Sequence, residues 1–291
     1  MNKNTFKTTI LLAGIGGLLV AVGSVLGGQG GAAIGLLLGI AFVGYSYWNS
    51  DKMAIKAARA VPVSESQFPQ YYAMMRDLTT RAGMPMPRLY MTPDAQPNAF
   101  ATGRNPEHAA VAVTEGIVQQ LGWGDELRGV LAHEISHVGN RDILIGSVAA
   151  AVATGISFAA NMAMWGAMFS GGRGGDDDGP NPLVLLLTAL LAPIAAGLLQ
   201  MALSRSREFE ADRSGARLVG DGEPLARALE KIEAFAKGIP MAVQPAQASK
   251  YIINPLTNEA VARRVQFANM FTTHPPTAER TARLRAGEWR N

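Results

Sequence analysis

The chain is 291 residues long, 48% hydrophobic and only 17% charged, with a mean hydropathy of +0.11, a balance unusual for a soluble domain and one that predicts membrane spans. Its net charge is +3 and its isoelectric point about 9.3, yet no nucleic-acid motif accompanies the basic excess. The absence of cysteine excludes disulfides, thiolate metal ligands and cysteine nucleophiles.

No charged residue occurs between Lys7 and Asp51. Two apolar runs fill that window, Ile10 to Leu26 and Ala32 to Trp48, split by Gly27-Gly28-Gln29-Gly30-Gly31. Each run is near the roughly 20 residues needed to cross a bilayer, and the glycine cluster is expected to supply the turn of a helical hairpin. A cleaved signal peptide is the rival, but its apolar core would be shorter and would not be followed at once by a second span.

A polar segment follows, from residue 51 to about 141. Phe68, Tyr71, Tyr72, Met75 and Leu78 recur at helical spacing, as core rather than site residues, before Gly83-Met84-Pro85 stops the helix. Short β-type runs come next, Arg88 to Met91, Asn98 to Thr102 and Ala109 to Thr114, and predict a small sheet. His108, in the turn Asn105-Pro106-Glu107-His108, reads as a surface loop residue.

The run from Asp125 to Val138 opens with acidic residues, carries apolar ones at i, i+3/i+4, and is closed by Gly139. It contains His133-Glu134-Ile135-Ser136-His137. With 4 His in 291 residues, an HExxH match arises by chance only about 0.002 times. Residues i and i+4 of a helix lie one above the other, so His133 and His137 can reach one metal ion, with Glu134 beside its water.

Two further uncharged windows, Ile143 to Gly172 and Gly179 to Ser204, predict a second hairpin, for which a buried or interfacial arrangement is the alternative. Lys3, Lys7, Lys52, Lys56, Arg59, Arg141, Arg205 and Arg207 flank the four runs, whereas the turn of the second hairpin holds Arg173 and Asp176-Asp177-Asp178. The positive-inside rule then places both termini and HExxH in the cytoplasm.

Arg205 to Val219 and Pro224 to Lys237 read as helices, Gly238 to Asn258 as a loop-rich connection, and Ala260 to Met270 and Thr277 to Arg285 as helices again. A catalytic zinc has three protein ligands and one open position, so HExxH needs a third donor. Glu208 is the best candidate. Asp212 lies one turn on, placed to accept a hydrogen bond from the outer nitrogen of a liganding histidine, while Glu210 points away. His274, in Thr273-His274-Pro275-Pro276 with Arg280 beyond it, is either the third ligand or a donor to an oxyanion beside Arg280.

HEISH followed by Asn140 and Asp142, the E-x-x-x-D of Glu208 and Asp212 after a hydrophobic hairpin, Asn98-Ala99-Phe100, and Thr273-His274-Pro275-Pro276 together resemble the Ste24-like membrane zinc metalloproteases of peptidase family M48. The resemblance covers nearly the whole chain. It implies one zinc per chain held by His133, His137 and Glu208, with Asp212 as support, Glu134 as general base, His274 and Arg280 as oxyanion-side donors, and Asn98, Ala99 and Phe100 as the edge on which substrate is laid. It implies an α+β, mainly α, zincin-like domain with a small sheet, joined to transmembrane hairpins. The organisation expected is a hairpin over 1–50, peptidase-domain parts over 51–142 and 205–291, and a second hairpin over 143–204. The location implied is the bacterial inner membrane, and the substrates are unfolded or damaged membrane proteins. A scaffold using zinc structurally and a processing protease for one defined substrate are the rival functions. A channel is disfavoured because the spans hold no Asp, Glu, Lys, Arg or His.

Overall fold

In a computed structural model the chain is described at residues 28–41, 44–45, 47–143, 205–238 and 275–290, with isolated positions 17, 20 and 24. Residues 28–41 are helical. Gly28 opens this stretch in the left-handed region at φ 56° and Gln29 to Gly31 lie within the helix, while residues 25–27, the approach to the expected turn, lie outside the described residues. Among the described residues no helix is long and apolar enough to cross a membrane. The expected second hairpin, the 238–258 connection and the 260–270 helix lie almost wholly outside the described residues.

Helix α1 (Ser50–Ala57) leads to a two-residue strand β1 (Val61–Pro62), helix α2 (Pro69–Ala82) and strands β2 (Arg88–Thr92), β3 (Ala99–Thr102) and β4 (Ala110–Thr114). Helices α3 (Glu115–Leu121), α4 (Asp125–Gly139), α5 (Arg205–Val219), α6 (Glu223–Gly238) and α7 (Thr277–Arg285) follow. The sheet has the order β1-β2-β4-β3, with β2 and β4 parallel and the outer pairs antiparallel. Ala99 pairs with Val113 and Thr102 with Ala110, which leaves β3 at the edge among the described residues. β4 is buried at every position, the mark of a strand covered on both faces.

The α2 stripe lands where its periodicity placed it: Tyr71, Met75 and Leu78 are fully buried, and Gly83 ends the helix in the left-handed region at φ 62°. Burying side chains of this size contributes roughly 1.5–3 kcal/mol each. They pack with Leu127, Leu131 and Ile135 of α4, Val111 and Val113 of β4, and Leu225, Leu229 and Ile232 of α6. The core is thus built around the HExxH helix, which touches α5, α6, α2 and strand β3.

Three elements escaped the sequence reading: the two-residue strand β1 and the helices α3 and α1. α3 is too short for its apolar Ile117, Val118 and Leu121 to show a period; Thr114 caps it, its Oγ1 accepting from the Ile117 amide at 3.0 Å and also from the Asn98 amide at 2.9 Å. α1 follows directly on the apolar window and is fastened to the sheet by a 2.5 Å ion pair between Asp51 and Arg88.

Candidate metal centre

His133 and His137 project from adjacent turns of α4 with their Nε2 atoms 3.2 Å apart and their rings nearly perpendicular, at 86°. From α5, Glu208 places Oε2 3.7 Å from His133 Nε2 and Oε1 3.6 Å from His137 Nε2. A tetrahedral ion with bonds near 2.05 Å separates its donors by about 3.3 Å, so the three side chains fit a zinc-sized cation. Among the described residues they form the one group of three placed to hold a metal.

Each imidazole is held from behind by a carboxylate. Asp212 Oδ1 lies 2.9 Å from His133 Nδ1, which is not aimed squarely at it, and Asp142 Oδ2 lies 3.3 Å from His137 Nδ1. A proton on each Nδ1 leaves two Nε2 lone pairs facing each other across 3.2 Å, a repulsive arrangement unless a cation stands before them.

The local charge balance points the same way. Glu134, Glu208, Asp212 and Asp142 are buried, with buried Arg280 and Arg207 beside them. With neutral imidazoles, four carboxylates and two guanidiniums leave two negative charges, the complement of one divalent cation. Without a bound ion, burial would lower His137, but Asp142, Glu208 and Glu134 together raise it to about 9. Burial pushes Glu134 up to about 7, Glu208 adding to the rise. Burial would also raise Asp212, yet Arg280 and His133 hold it at about 2, so it stays ionised as an anchor must.

Arg280 stands one step behind the position expected for an oxyanion donor. Its guanidinium grips Asp212 bidentately, Nε donating at 2.8 Å and Nη2 at 2.7 Å, with the side chain 1% exposed. The chain Arg280–Asp212–His133 is therefore a buried strut that fixes one ligand ring. His274 lies outside the described residues. Glu210 faces outward, paired with Arg213 at 2.9 Å, while Glu208 and Asp212 face inward, as their spacing required.

In the sequence Asp142 is only one member of a pattern; the structure gives it a place on the metal centre. Arg141 adopts φ 59° immediately after α4, which turns the chain back so that the Asp142 amide reaches the carbonyl of His137 and its carboxylate the ring. A carboxylate five residues beyond the second histidine was the available signal. Gly215 was also missed. It lies on the Glu208–Asp212 face of α5, and a Cβ there would sit 2.9 Å from the His133 amide nitrogen, so glycine sets how closely α5 can bring Glu208 to α4.

Glu134 is 6% exposed, and its Oε2 accepts a 2.9 Å hydrogen bond from the amide of Ala101 on β3. That amide points away from β4, toward the cleft. Asn98, Ala99 and Phe100 are buried, and the Asn98 carbonyl accepts from the Thr114 amide at 2.9 Å. His108 is exposed, and its ring bonds its own turn, Nδ1 lying 2.8 Å from Asn105 Oδ1.

Comparison with known proteins matches residues 65–288 to the family described as Peptidase family M48. A protein named Protease HtpX homolog from Pelotomaculum thermopropionicum is 49% identical over 286 residues, 97% of this chain and 99% of its own. A protein of the same name from Methylibium petroleiphilum is also 49% identical, over 97% of each chain. Among solved structures, S. mikatae Ste24p superposes with a TM-score of 0.51 at 18% identity, over 96% of this chain; the chain spans 65% of that longer protein, and the likeness is one of fold.

Proposed function

Because the chain belongs to peptidase family M48 and is a zinc metallopeptidase, we propose that it is a membrane-integral endopeptidase that cuts unfolded or damaged membrane proteins on the cytoplasmic side of the bacterial inner membrane. The observation that carries the peptidase chemistry is the convergence of His133, His137 and Glu208 at 3.2–3.7 Å with Glu134 buried alongside. The membrane assignment is supported by the 43 uncharged residues between Lys7 and Asp51 and by the exposed apolar side chains on residues 28–41.

Zinc bound by His133, His137 and Glu208 would supply Lewis-acid polarisation of the scissile carbonyl and a water of lowered pKa. Glu134 takes the proton of the attacking water and returns it to the leaving amine. Asp212 and Asp142 hold the ligand rings, and Arg280 holds Asp212. The outward main-chain groups of the β3 edge other than the Ala101 amide, which holds Glu134, pair with the substrate main chain, which gives affinity without regard to side-chain identity and suits unfolded targets. His274 is assigned to the oxyanion side.

In detergent, the purified chain is expected to cleave an unfolded membrane protein, to lose that activity when zinc is chelated and to regain it when zinc is restored. Cleavage that persists in a zinc-free preparation contradicts the proposal.

A further inference from the structure

The end of the first apolar window is tied into the catalytic sheet at three points. Asp51 pairs with Arg88 at the start of β2; Thr92 Oγ1, at its end, donates to the Ala58 carbonyl at 2.8 Å; and the Arg104 guanidinium stacks 4.8 Å from the centre of the Trp48 ring. Arg104 lies two residues beyond β3, and its Nη1 also approaches the Trp48 carbonyl at 3.4 Å. Trp48 closes the second apolar run, three residues before Asp51, and is 60% exposed, as is Tyr45. Exposed tryptophan and tyrosine at the end of an apolar run mark a bilayer interface, and an arginine stem lying across such a ring keeps its charge at the headgroup level.

We propose that the edge strand β3 is loaded directly from the bilayer surface: substrate joins it at the Thr102 end, beside the Trp48–Arg104 pair, and is cut within about ten residues of the point where it leaves the lipid. The proposal rests on the membrane-integral peptidase reading and adds a rule for where on the substrate the cut falls. Ala101, whose amide holds Glu134, and Arg104 are three residues apart, so their Cα atoms lie at most about 11 Å apart. With an extended arginine side chain, the 4.8 Å to the ring and the 2.9 Å from the Ala101 amide to Glu134, the general base lies within about 26 Å of Trp48. An extended peptide rises about 3.3 Å per residue, so about eight residues cover that span and about ten allow for slack and depth in the headgroups. Because α1 is fastened to β2 at both ends of the strand, the distance is fixed by the fold.

The test uses the full chain in liposomes with two substrates that share one unstructured tail of roughly 40 residues, one tail free and one following a single apolar span. Cut positions are mapped by mass spectrometry. The expected result is cleavage scattered along the free tail but confined to the first ten or so residues after the span in the anchored form, with the anchored form cut about tenfold faster through its raised local concentration. Trp48→Ala is expected to spread the cuts of the anchored form outward while the free-tail rate stays within about twofold of wild type. The same scatter along both tails would overturn the proposal and leave the peptidase reading intact, as would unchanged cut positions in Trp48→Ala for the part given to that ring. If Trp48→Ala fails to insert, the wild-type map decides alone. Cleavage of neither substrate removes the peptidase reading and this proposal together.

Discussion

Glu134→Gln is expected to keep one zinc per chain and to lose cleavage by about 10³-fold, within the range usual for a general acid–base group. The substitution removes charge but almost no volume. Glutamine retains a carbonyl oxygen that accepts the Ala101 amide, so the 6%-exposed pocket and the β3–α4 contact survive. The amide has no basic oxygen to take a proton from water or deliver one to the amine. The loss therefore falls on kcat, with KM and zinc content close to wild type. Zinc assay by atomic absorption and cleavage of an unfolded substrate, on the same preparation, check both halves. Cleavage by the Glu134→Gln variant at the wild-type rate contradicts the mechanism.

Asp212→Ala is the substitution with the largest expected effect away from the three metal donors. It removes the carboxylate behind His133 and strands the Arg280 guanidinium, 1% exposed, without the partner it grips through two nitrogens. Leaving a buried charge without its partner costs about 3–5 kcal/mol, which should lower the unfolding midpoint by roughly 10 °C. Loss of the group that orients a ligand imidazole weakens metal binding by about 10- to 100-fold. The two effects separate in the double variant Asp212→Ala, Arg280→Met: stability returns because no guanidinium is left buried without that carboxylate, whereas zinc affinity does not, because His133 still lacks its anchor. Thermal unfolding and zinc competition titrations on the single and double variants check this. Recovery of zinc affinity in the double variant would show that Asp212 acts only on stability.

The residues on α4 and α5 were legible because helix geometry converts sequence spacing directly into spatial position. HExxH puts two rings on one face, and the four-residue step from Glu208 to Asp212 does the same for two carboxylates, with Glu210 thrown outward. The strands were legible from β-branched and alanine runs between turns. Roles that depend on contacts between distant elements were not. Arg280 looked available for substrate, and only packing α7 against α5 assigns its Nε and Nη2 to Asp212. Asp142 reaches His137 only because Arg141 takes a left-handed turn that its residue type does not announce. Arg207, read from the sequence only as a basic flank of the second hairpin, is 8% exposed and close enough to Asp142 and Glu208 to feel both charges. α3 was hidden because seven residues are too few for a period to show, although Ile117, Val118 and Leu121 pack into the core.

The central claim is that two histidines of α4 and one glutamate of α5 hold a zinc ion. Zinc per chain, measured after purification in detergent and dialysis against a weak chelator for wild type and Glu208→Ala, tests it most directly. The account predicts close to one zinc in wild type and little in Glu208→Ala, since two imidazoles alone bind zinc weakly. A full complement of zinc in Glu208→Ala would contradict it and would move the third ligand to His274.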